Sequence, residues 1–208
     1  MSEKTEVTLE EEINHIKNYI ALSEIRYGNQ LILHLDVPEE LFDCKIPAML
    51  IQTFVENSVK HEMNPEEVLH IWVKVKEKDK KMYIAVEDSG QGFEEEILEK
   101  LRKGEPVIHN GMEHFGIANV KRRLNIIYGN AAKIYFSNEK NGTGNTGNEV
   151  KNIENKAKGT ENEAKNRENK AKVEIELPFD KKSNKEAFAE WKQIKNIDKN
   201  ECDNMSQC

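Results

Sequence analysis

The sequence predicts an α+β fold, a two-layer α/β sandwich in which a mixed sheet is covered by helices on one face. With 208 residues and 37% hydrophobic side chains, the chain can bury one good core but not two large domains. Apolar periodicity gives the order helix, strand, helix, two strands, helix, loop, helix, strand, insertion, strand. The two consecutive strands break the strict strand–helix alternation of a parallel sheet and favour the mixed class.

The first half of the chain supplies two helices and a strand. Thr8, with Glu11 three positions later, forms a capping-box pattern and predicts a helix that ends at Gly28. The next segment, QLILHLDVP, alternates apolar and polar residues as a strand does. Pro47 is predicted to open the second helix, PAMLIQTFVENSVKHE, which ends near Asn64.

The second half begins with a predicted hairpin. Its strands are VLHIWVKVKEK and KMYIAVED, joined by a charged turn from Lys78 to Lys81. FEEEILEKLRKG predicts a short helix that ends at Gly104. A loop over residues 105–115 leads to the helix GIANVKRRLNIIYGN and the strand AKIYFSN, and KVEIELPF supplies the last strand.

The pattern is interrupted between the last two strands. Residues 145–172 are dominated by Asn, Lys and Glu, and NIENKAK at 152–158 returns as NRENKAK at 166–172. Such a stretch buries too little apolar surface to offset its chain entropy, so we expect a disordered insertion. The tail, residues 180–208, is polar, with one short amphipathic pattern that predicts a helix.

Charge and composition exclude several classes of function. The net charge of -7 argues against a nucleic-acid or anionic-membrane surface, because both need clustered positive charge. No apolar run approaches the ~20 residues of a membrane span, and the N-terminus lacks a signal-peptide core. Cys44, Cys202 and Cys208 form neither a metal motif nor a disulfide framework. We therefore expect a cytoplasmic segment that does not contact membrane, with the option that it is the cytoplasmic part of a membrane-bound protein.

The second helix carries a polar stripe opposite its buried face. Thr53, Glu56, Asn57, Lys60 and His61 follow the spacing of one helical face. A carboxamide oxygen suits Mg²⁺, a lysine can neutralise phosphate oxygens, and a glutamate beside them can order metal-bound water. A stripe of this kind also faces water on many surface helices, so this helix alone leaves both interpretations open.

Two further motifs follow it. AVEDSGQGF runs a strand into Asp88, with Gly90 and Gly92 at alternate positions after it. A carboxylate is a pure acceptor for an amino hydrogen, and the glycines allow a tight turn and close approach of a flat ligand. Gly116 then starts a helix whose free N–H groups could hold an anion. Taken alone, each motif is a weak signal and also fits an ordinary glycine turn or a plain helix start.

The order and spacing of the three motifs resemble the ATP-binding domain of the GHKL superfamily, which includes sensor histidine kinases, gyrase-type ATPases and MutL. VENSVKH looks like the N box, EDSGQGF the first glycine box and FGIANVKRRL the second. Within the superfamily the chain is most similar to LytS/YesM-like sensor histidine kinases, over about residues 8–144 and again at 173–178. The resemblance implies a fold of the GHKL (Bergerat) type.

The resemblance also implies a site for ATP and Mg²⁺. Asn57 would hold Mg²⁺, Asp88 would bind the adenine amino group, and Lys60 and Gly116 would meet the phosphates. Glu56 and Asn57 are the implied catalytic residues, and residues 93–115 would form a lid. The implied nucleotide-binding residues are Asn57, Lys60, His61, Asp88, Gly90, Gly92, Phe93, Gly116, Ile117 and Asn119.

The sequence departs from the family pattern in two ways. His114 stands where the second glycine box usually has its first glycine, and no segment resembles the phosphoacceptor motif NPHFLFN. His15 is expected to be an ordinary helix-surface histidine. We expect residues 1–28 to form a helix leading from an absent phosphoacceptor region and residues 29–179 to form the ATP-binding domain. The chain would then be an excised domain, a truncated gene product or a stand-alone module.

The resemblance implies a kinase that transfers the γ-phosphoryl group of Mg-ATP to a histidine on another domain or chain, and indirectly to a response regulator. A homodimer is expected only in a longer parent protein. The alternative is a stand-alone or degenerate nucleotide-binding module without kinase activity. ATP hydrolysis is disfavoured, because Thr53 stands where gyrase-type relatives carry a general-base glutamate.

Overall fold

The computed structural model describes residues 5–64, 66–105, 108–109, 112–113, 115–140 and 169–179. The helices are α1 (Leu9–Tyr27), α2 (Gln52–Glu62), α3 (Glu95–Lys103) and α4 (Phe115–Tyr128). The strands are β1 (Glu6–Thr8), β2 (Leu31–Asp36), β3 (Lys45–Pro47), β4 (Leu69–Lys78), β5 (Lys81–Asp88), β6 (Ile108–His109), β7 (Met112–Glu113), β8 (Lys133–Lys140) and β9 (Asn169–Pro178). The helix predicted in the tail lies outside the described residues.

The main sheet has five strands in the order β2-β4-β5-β9-β8. β2 and β4 are parallel and the other pairs are antiparallel, which confirms the predicted mixed sheet and α+β class. One apolar row crosses all five strands through Leu35, Val73, Val86, Val173 and Phe136. Four of these side chains lie in the hydrophobic core and Leu35 packs against it. The buried residues of the helices lie in the same core, so the helices cover this face of the sheet.

The capping box predicted for α1 is confirmed. The Thr8 hydroxyl accepts the Glu11 N–H, and the Glu11 carboxylate accepts the Thr8 N–H, at 3.0 and 2.9 Å. The apolar face of the helix, from Leu9 to Ile20, is buried in the same core as the sheet. Although α1 was predicted as a leading helix, it packs as part of the domain.

The predicted start of α2 is wrong by five residues. Pro47 pairs with Glu6 in the small β1–β3 sheet, and Met49 has a left-handed backbone with φ 58°. A helix cannot run through that conformation without strain, so α2 begins at Gln52. Proline is compatible with the first turn of a helix, but here the pairing of β1 with β3 places Pro47 in a strand.

The predicted β4–β5 hairpin is confirmed. Its turn residues, Asp79 and Lys80, have φ values of 52° and 58°, which is the twist of a two-residue primed turn. The register pairs Ile71 with Asp88 at the far end of the hairpin. The hairpin therefore places Asp88 at the carboxyl end of β5, where the chain leaves the sheet.

The last strand extends into the predicted insertion. β9 begins at Asn169 and pairs Asn169 with Lys140 of β8. Residues 169–172 thus belong to the sheet, because Lys172 pairs with both Ser137 of β8 and Glu87 of β5. Residues 141–168 lie outside the described residues. None of the helices within the described residues is long and apolar enough to cross a membrane.

Candidate functional site

A cavity of about 570 Å³ opens beside α2 and the end of β5, a size typical of small-molecule sites. It brings together residues that are far apart in the chain. Of the residues predicted from the sequence, those that line it are Asn57, His61, Asp88, Gly92, Phe93 and Ile117. Its wall also includes apolar side chains from α3 and the sheet, so it offers both polar groups and flat apolar surface.

Asp88 is the buried polar group of the cavity, with 5% of its surface exposed. Its two oxygens have separate donors: the Ser58 hydroxyl lies 2.7 Å from Oδ2, and the Gly90 N–H lies 3.0 Å from Oδ1. Burial raises the pKa of Asp88 to about 6, although both hydrogen bonds act to lower it. The carboxylate is thus held in one orientation and is largely ionised at pH 7.

The turn after Asp88 depends on its glycines. The Gln91 N–H donates to Glu62 Oε2 at 2.6 Å, which brings the end of α2 against the turn. A Cβ at Gly90 would lie 2.2 Å from the same oxygen, so no larger residue fits without displacing Glu62. Gly92 has φ 81°, a left-handed conformation that favours glycine.

The predicted stripe on α2 divides between two surroundings. Asn57 and His61 face the cavity, whereas Lys60 is exposed and does not line it. Glu56 also lies outside the lining, where it accepts a hydrogen bond from Gln52 Nε2 at 2.6 Å. The structure therefore places Asn57 and Asp88 in the lining of one cavity, whereas Lys60 and Glu56 lie outside that lining.

Comparison with known families identifies the fold of this site. The family described as histidine kinase-, DNA gyrase B-, and HSP90-like ATPase matches residues 45–181. The chain belongs to this ATPase family. The match includes α2, the hairpin with Asp88 and α4, the three elements that carry the predicted motifs. The family resemblance drawn from the motifs is thus confirmed.

The matching curated relatives of this ATPase-family chain include sensor kinases. The sensor protein LytS of Streptococcus agalactiae is 33% identical over 141 residues, which are 66% of this chain and 24% of that protein. The sensor histidine kinase YpdA of Escherichia coli is 30% identical over 135 residues, or 64% of this chain and 23% of that protein. The chain spans about a quarter of the length of the curated relatives it matches.

Solved structures agree on the fold of the ATPase domain. The catalytic domain of histidine kinase ThkA superposes with a TM-score of 0.50 at 18% identity, covering 86% of this chain and 97% of that one. At this identity the likeness shows the fold alone. It confirms the predicted sandwich of the GHKL type.

The second glycine motif of the ATPase domain lies at the start of α4. α4 begins at Phe115, so Gly116 is its second residue and not its first. A Cβ on Gly116 would lie 3.1 Å from Thr53 Cγ2, so this glycine lets α4 approach the first turn of α2. Ile117 lines the cavity and Asn119 is exposed. His114 lies outside the described residues.

Phe93 is fixed to the sheet by a pair of hydrogen bonds. Its N–H donates to Asn138 Oδ1, and Asn138 Nδ2 donates to its carbonyl oxygen, both at 2.8 Å. The buried side chains of α3, Leu98 and Leu101, belong to the main core. The predicted lid over residues 93–115 is therefore too long, because its first part, through α3, is packed into the domain.

Three residues that hold motif residues in place, Ser58, Glu62 and Asn138, were not predicted from the sequence. Ser58 had a detectable signal, since it is a small polar residue on the buried side of α2, between Val55 and Val59. A buried hydroxyl requires a partner, and Asp88 is that partner. Glu62 and Asn138 had no local signal, because their partners are 29 and 45 residues away.

The donor set fits a magnesium ion held partly by a substrate. Within the described residues no cluster of three His, Cys, Asp or Glu side chains could hold a metal alone. Mg²⁺ commonly binds through one or two protein oxygens together with substrate phosphates. The Asn57 side chain, which lines the cavity, can supply such an oxygen.

Proposed function

We propose that the chain binds Mg-ATP in this cavity and donates the γ-phosphoryl group to a histidine on another domain or chain. One observation carries the proposal: a buried, acceptor-only carboxylate, Asp88, is fixed in the same cavity that Asn57 lines. The sensor-kinase relatives supply the class of reaction.

The base would be recognised at Asp88. Ser58 and Gly90 each donate to one carboxylate oxygen, which leaves lone pairs on both oxygens for a further donor. An exocyclic amino group such as that of adenine is a donor of this kind. Phe93, Ile117 and Val86 provide apolar surface against which a flat base could pack.

The phosphates would extend toward α2 and α4. Asn57 would hold Mg²⁺, which would supply charge neutralisation for the phosphates when bound. Lys60 is exposed on the same helix, where its ammonium could approach the phosphates from the rim. The first N–H groups of α4, including that of Gly116, have no partner within the helix and could donate hydrogen bonds to an anion.

The transfer itself needs little covalent chemistry from this domain. The attacking imidazole nitrogen would form a P–N bond as the bond from the γ-phosphorus to the bridging oxygen breaks, and ADP would leave. The domain would contribute position and charge neutralisation. The acceptor histidine domain and, indirectly, a response regulator are the partners that this reaction requires.

Calorimetric titration of the chain with a non-hydrolysable ATP analogue and Mg²⁺ tests the proposal. Wild type should bind, and Asp88→Asn should bind at least about tenfold more weakly, because it loses a charged acceptor. Asp36→Asn is the matched control, since Asp36 is an exposed residue at the end of β2. The proposal fails if wild type does not bind or if Asp88→Asn binds as wild type does.

A nucleotide-binding module without transferase activity is the second candidate. The observation that favours it is His114, which stands in the position of a family glycine. Mixing the chain with a separately purified acceptor domain and ATP labelled at the γ-phosphate separates the two candidates. Transfer of label supports the kinase, and nucleotide binding without transfer supports the module.

A further inference from the structure

Glu12 of α1 is a buried acidic residue at the start of α2. It is 2% exposed, and its carboxylate accepts three backbone N–H groups, from Met49, Ile51 and Gln52, at 2.9, 2.9 and 3.0 Å. These donors precede or begin α2, whose N-cap residue, Ile51, has no side-chain cap. A carboxylate from another helix thus caps α2 and opposes the positive end of its dipole.

The backbone that Glu12 binds is a junction of three helices. Met49 has a left-handed backbone, and its carbonyl oxygen accepts the Thr53 hydroxyl at 2.6 Å. Arg123 of α4 donates to the carbonyl oxygen of Ala48, one residue earlier. The first turn of α2 is therefore positioned by contacts from α1 and α4 as well as by its own Thr53.

This junction is connected to the N-box residues by a short path. The Gln52 N–H binds Glu12, and the Gln52 side chain donates to Glu56 Oε1 at 2.6 Å. Asn57 follows Gln52 by five residues, which is about 7.5 Å along a helix axis. A shift of α1 relative to the sheet would consequently move the first turn of α2 and the residues next to it.

Asp88, the residue proposed to bind the adenine base, is held by contacts of its own. Ser58, in the middle of α2, is bonded to Asp88 on β5 at 2.7 Å. The Gly90 N–H donates to Asp88, and Glu62 accepts the Gln91 N–H in the turn that follows. Glu12 therefore acts at the first turn of α2, whereas Ser58 and Glu62 join the later part of the same helix to Asp88 and its turn.

We propose that Glu12 is a positioning residue that sets the place of Asn57, so that the position of α1 governs the Mg²⁺-dependent part of nucleotide binding more than the adenine-dependent part. This inference rests on the proposed function. It gives α1 a role beyond packing, because any upstream segment that displaces α1 would reach the metal-binding residue through Glu12.

Calorimetry of Glu12→Gln with the ATP analogue, once with Mg²⁺ and once with a chelator, tests the inference. The measured quantity is the gain in affinity that Mg²⁺ confers. We expect that gain to fall by about tenfold in Glu12→Gln, as when a residue that orients a metal ligand is lost, with a small change in the Mg²⁺-free affinity. Glu11→Gln is the control, because Glu11 belongs to the capping box of the same helix.

Each outcome decides between the two proposals. If wild type binds no nucleotide, the proposed function fails, and this inference fails with it. If wild type binds and Glu12→Gln keeps the full Mg²⁺-dependent gain, only the inference fails, and Glu12 is merely structural. If Glu12→Gln does not fold, Glu12→Asp replaces it: the shorter carboxylate should reduce the gain, and an unchanged gain overturns the inference.

Discussion

Replacing Ser58 with alanine removes one of the two donors that hold Asp88. The Ser58 hydroxyl donates to Asp88 Oδ2 at 2.7 Å inside the core. This bond favours the ionised carboxylate, whereas burial disfavours it and raises the pKa of Asp88 to about 6. Without the hydroxyl, burial is opposed only by the Gly90 N–H, so the pKa of Asp88 should rise further.

The size of the rise follows from the strength of the bond. A hydrogen bond to a charged group contributes about 1.5–3 kcal/mol, and one pKa unit corresponds to about 1.4 kcal/mol. The pKa of Asp88 should therefore increase by about one to two units in Ser58→Ala. At pH 7 the ionised fraction would fall from roughly nine-tenths to one-half or less, which weakens nucleotide binding about twofold to tenfold.

Titration of nucleotide affinity from pH 5.5 to 9 measures this effect. The midpoint of binding should move upward in Ser58→Ala, and the difference in affinity between the two proteins should narrow toward the alkaline end. Ser137→Ala, on β8, is the matched control and should keep the midpoint of wild type. An unchanged midpoint in Ser58→Ala would refute the assignment of Asp88 as the ionised acceptor.

Three further predictions concern the same cavity. The pKa of Asp88 is higher in the folded than in the unfolded chain, so the free energy of unfolding falls as pH rises from about 4 to 6. Asp88→Asn should therefore raise the free energy of unfolding at pH 8 by up to about 3 kcal/mol, measured by urea unfolding. A free energy of unfolding below that of wild type would contradict this prediction. Gly90→Ala should weaken nucleotide binding, because the added methyl group displaces Glu62, and the double variant Gly90→Ala/Glu62→Ala should recover part of the lost affinity. If the single and double variants lose the same affinity, the clash with Glu62 is not the cause. Asn57→Ala should abolish the gain in affinity from Mg²⁺, whereas Asn125→Ala, an exposed change on α4, should not, and a retained gain would remove Asn57 as the metal ligand.

Local signals predicted much of the fold. The Thr8–Glu11 pair determines the start of α1 through contacts three residues apart, and the β4–β5 hairpin has a two-residue turn. The start of α2 could not be predicted this way. Its position depends on Glu6, which pairs with Pro47, and on Glu12, which binds the backbone of Ile51. Glu6 and Glu12 each lie about 40 residues before their partners in the chain.

The candidate site shows the same division. Asp88 and Asn57 were predicted from motifs, and the structure places both on one cavity. The residues that orient them, Ser58 for Asp88 and Glu12 for the start of α2, became visible only when the folded chain brought the partners together. Roles of single residues in binding remain predictions for the experiments above.

The affinities of paired adenine and guanine nucleotide analogues, each measured with Mg²⁺, show whether Asp88 recognises the base of ATP. Guanine presents a carbonyl oxygen where adenine has its amino group, and an ionised Asp88 repels that oxygen. We expect the adenine analogue to bind at least about a hundredfold more tightly, and we expect Asp88→Asn to reduce this preference. Equal affinities for the two analogues, or a preference that survives Asp88→Asn unchanged, would contradict recognition of ATP at Asp88.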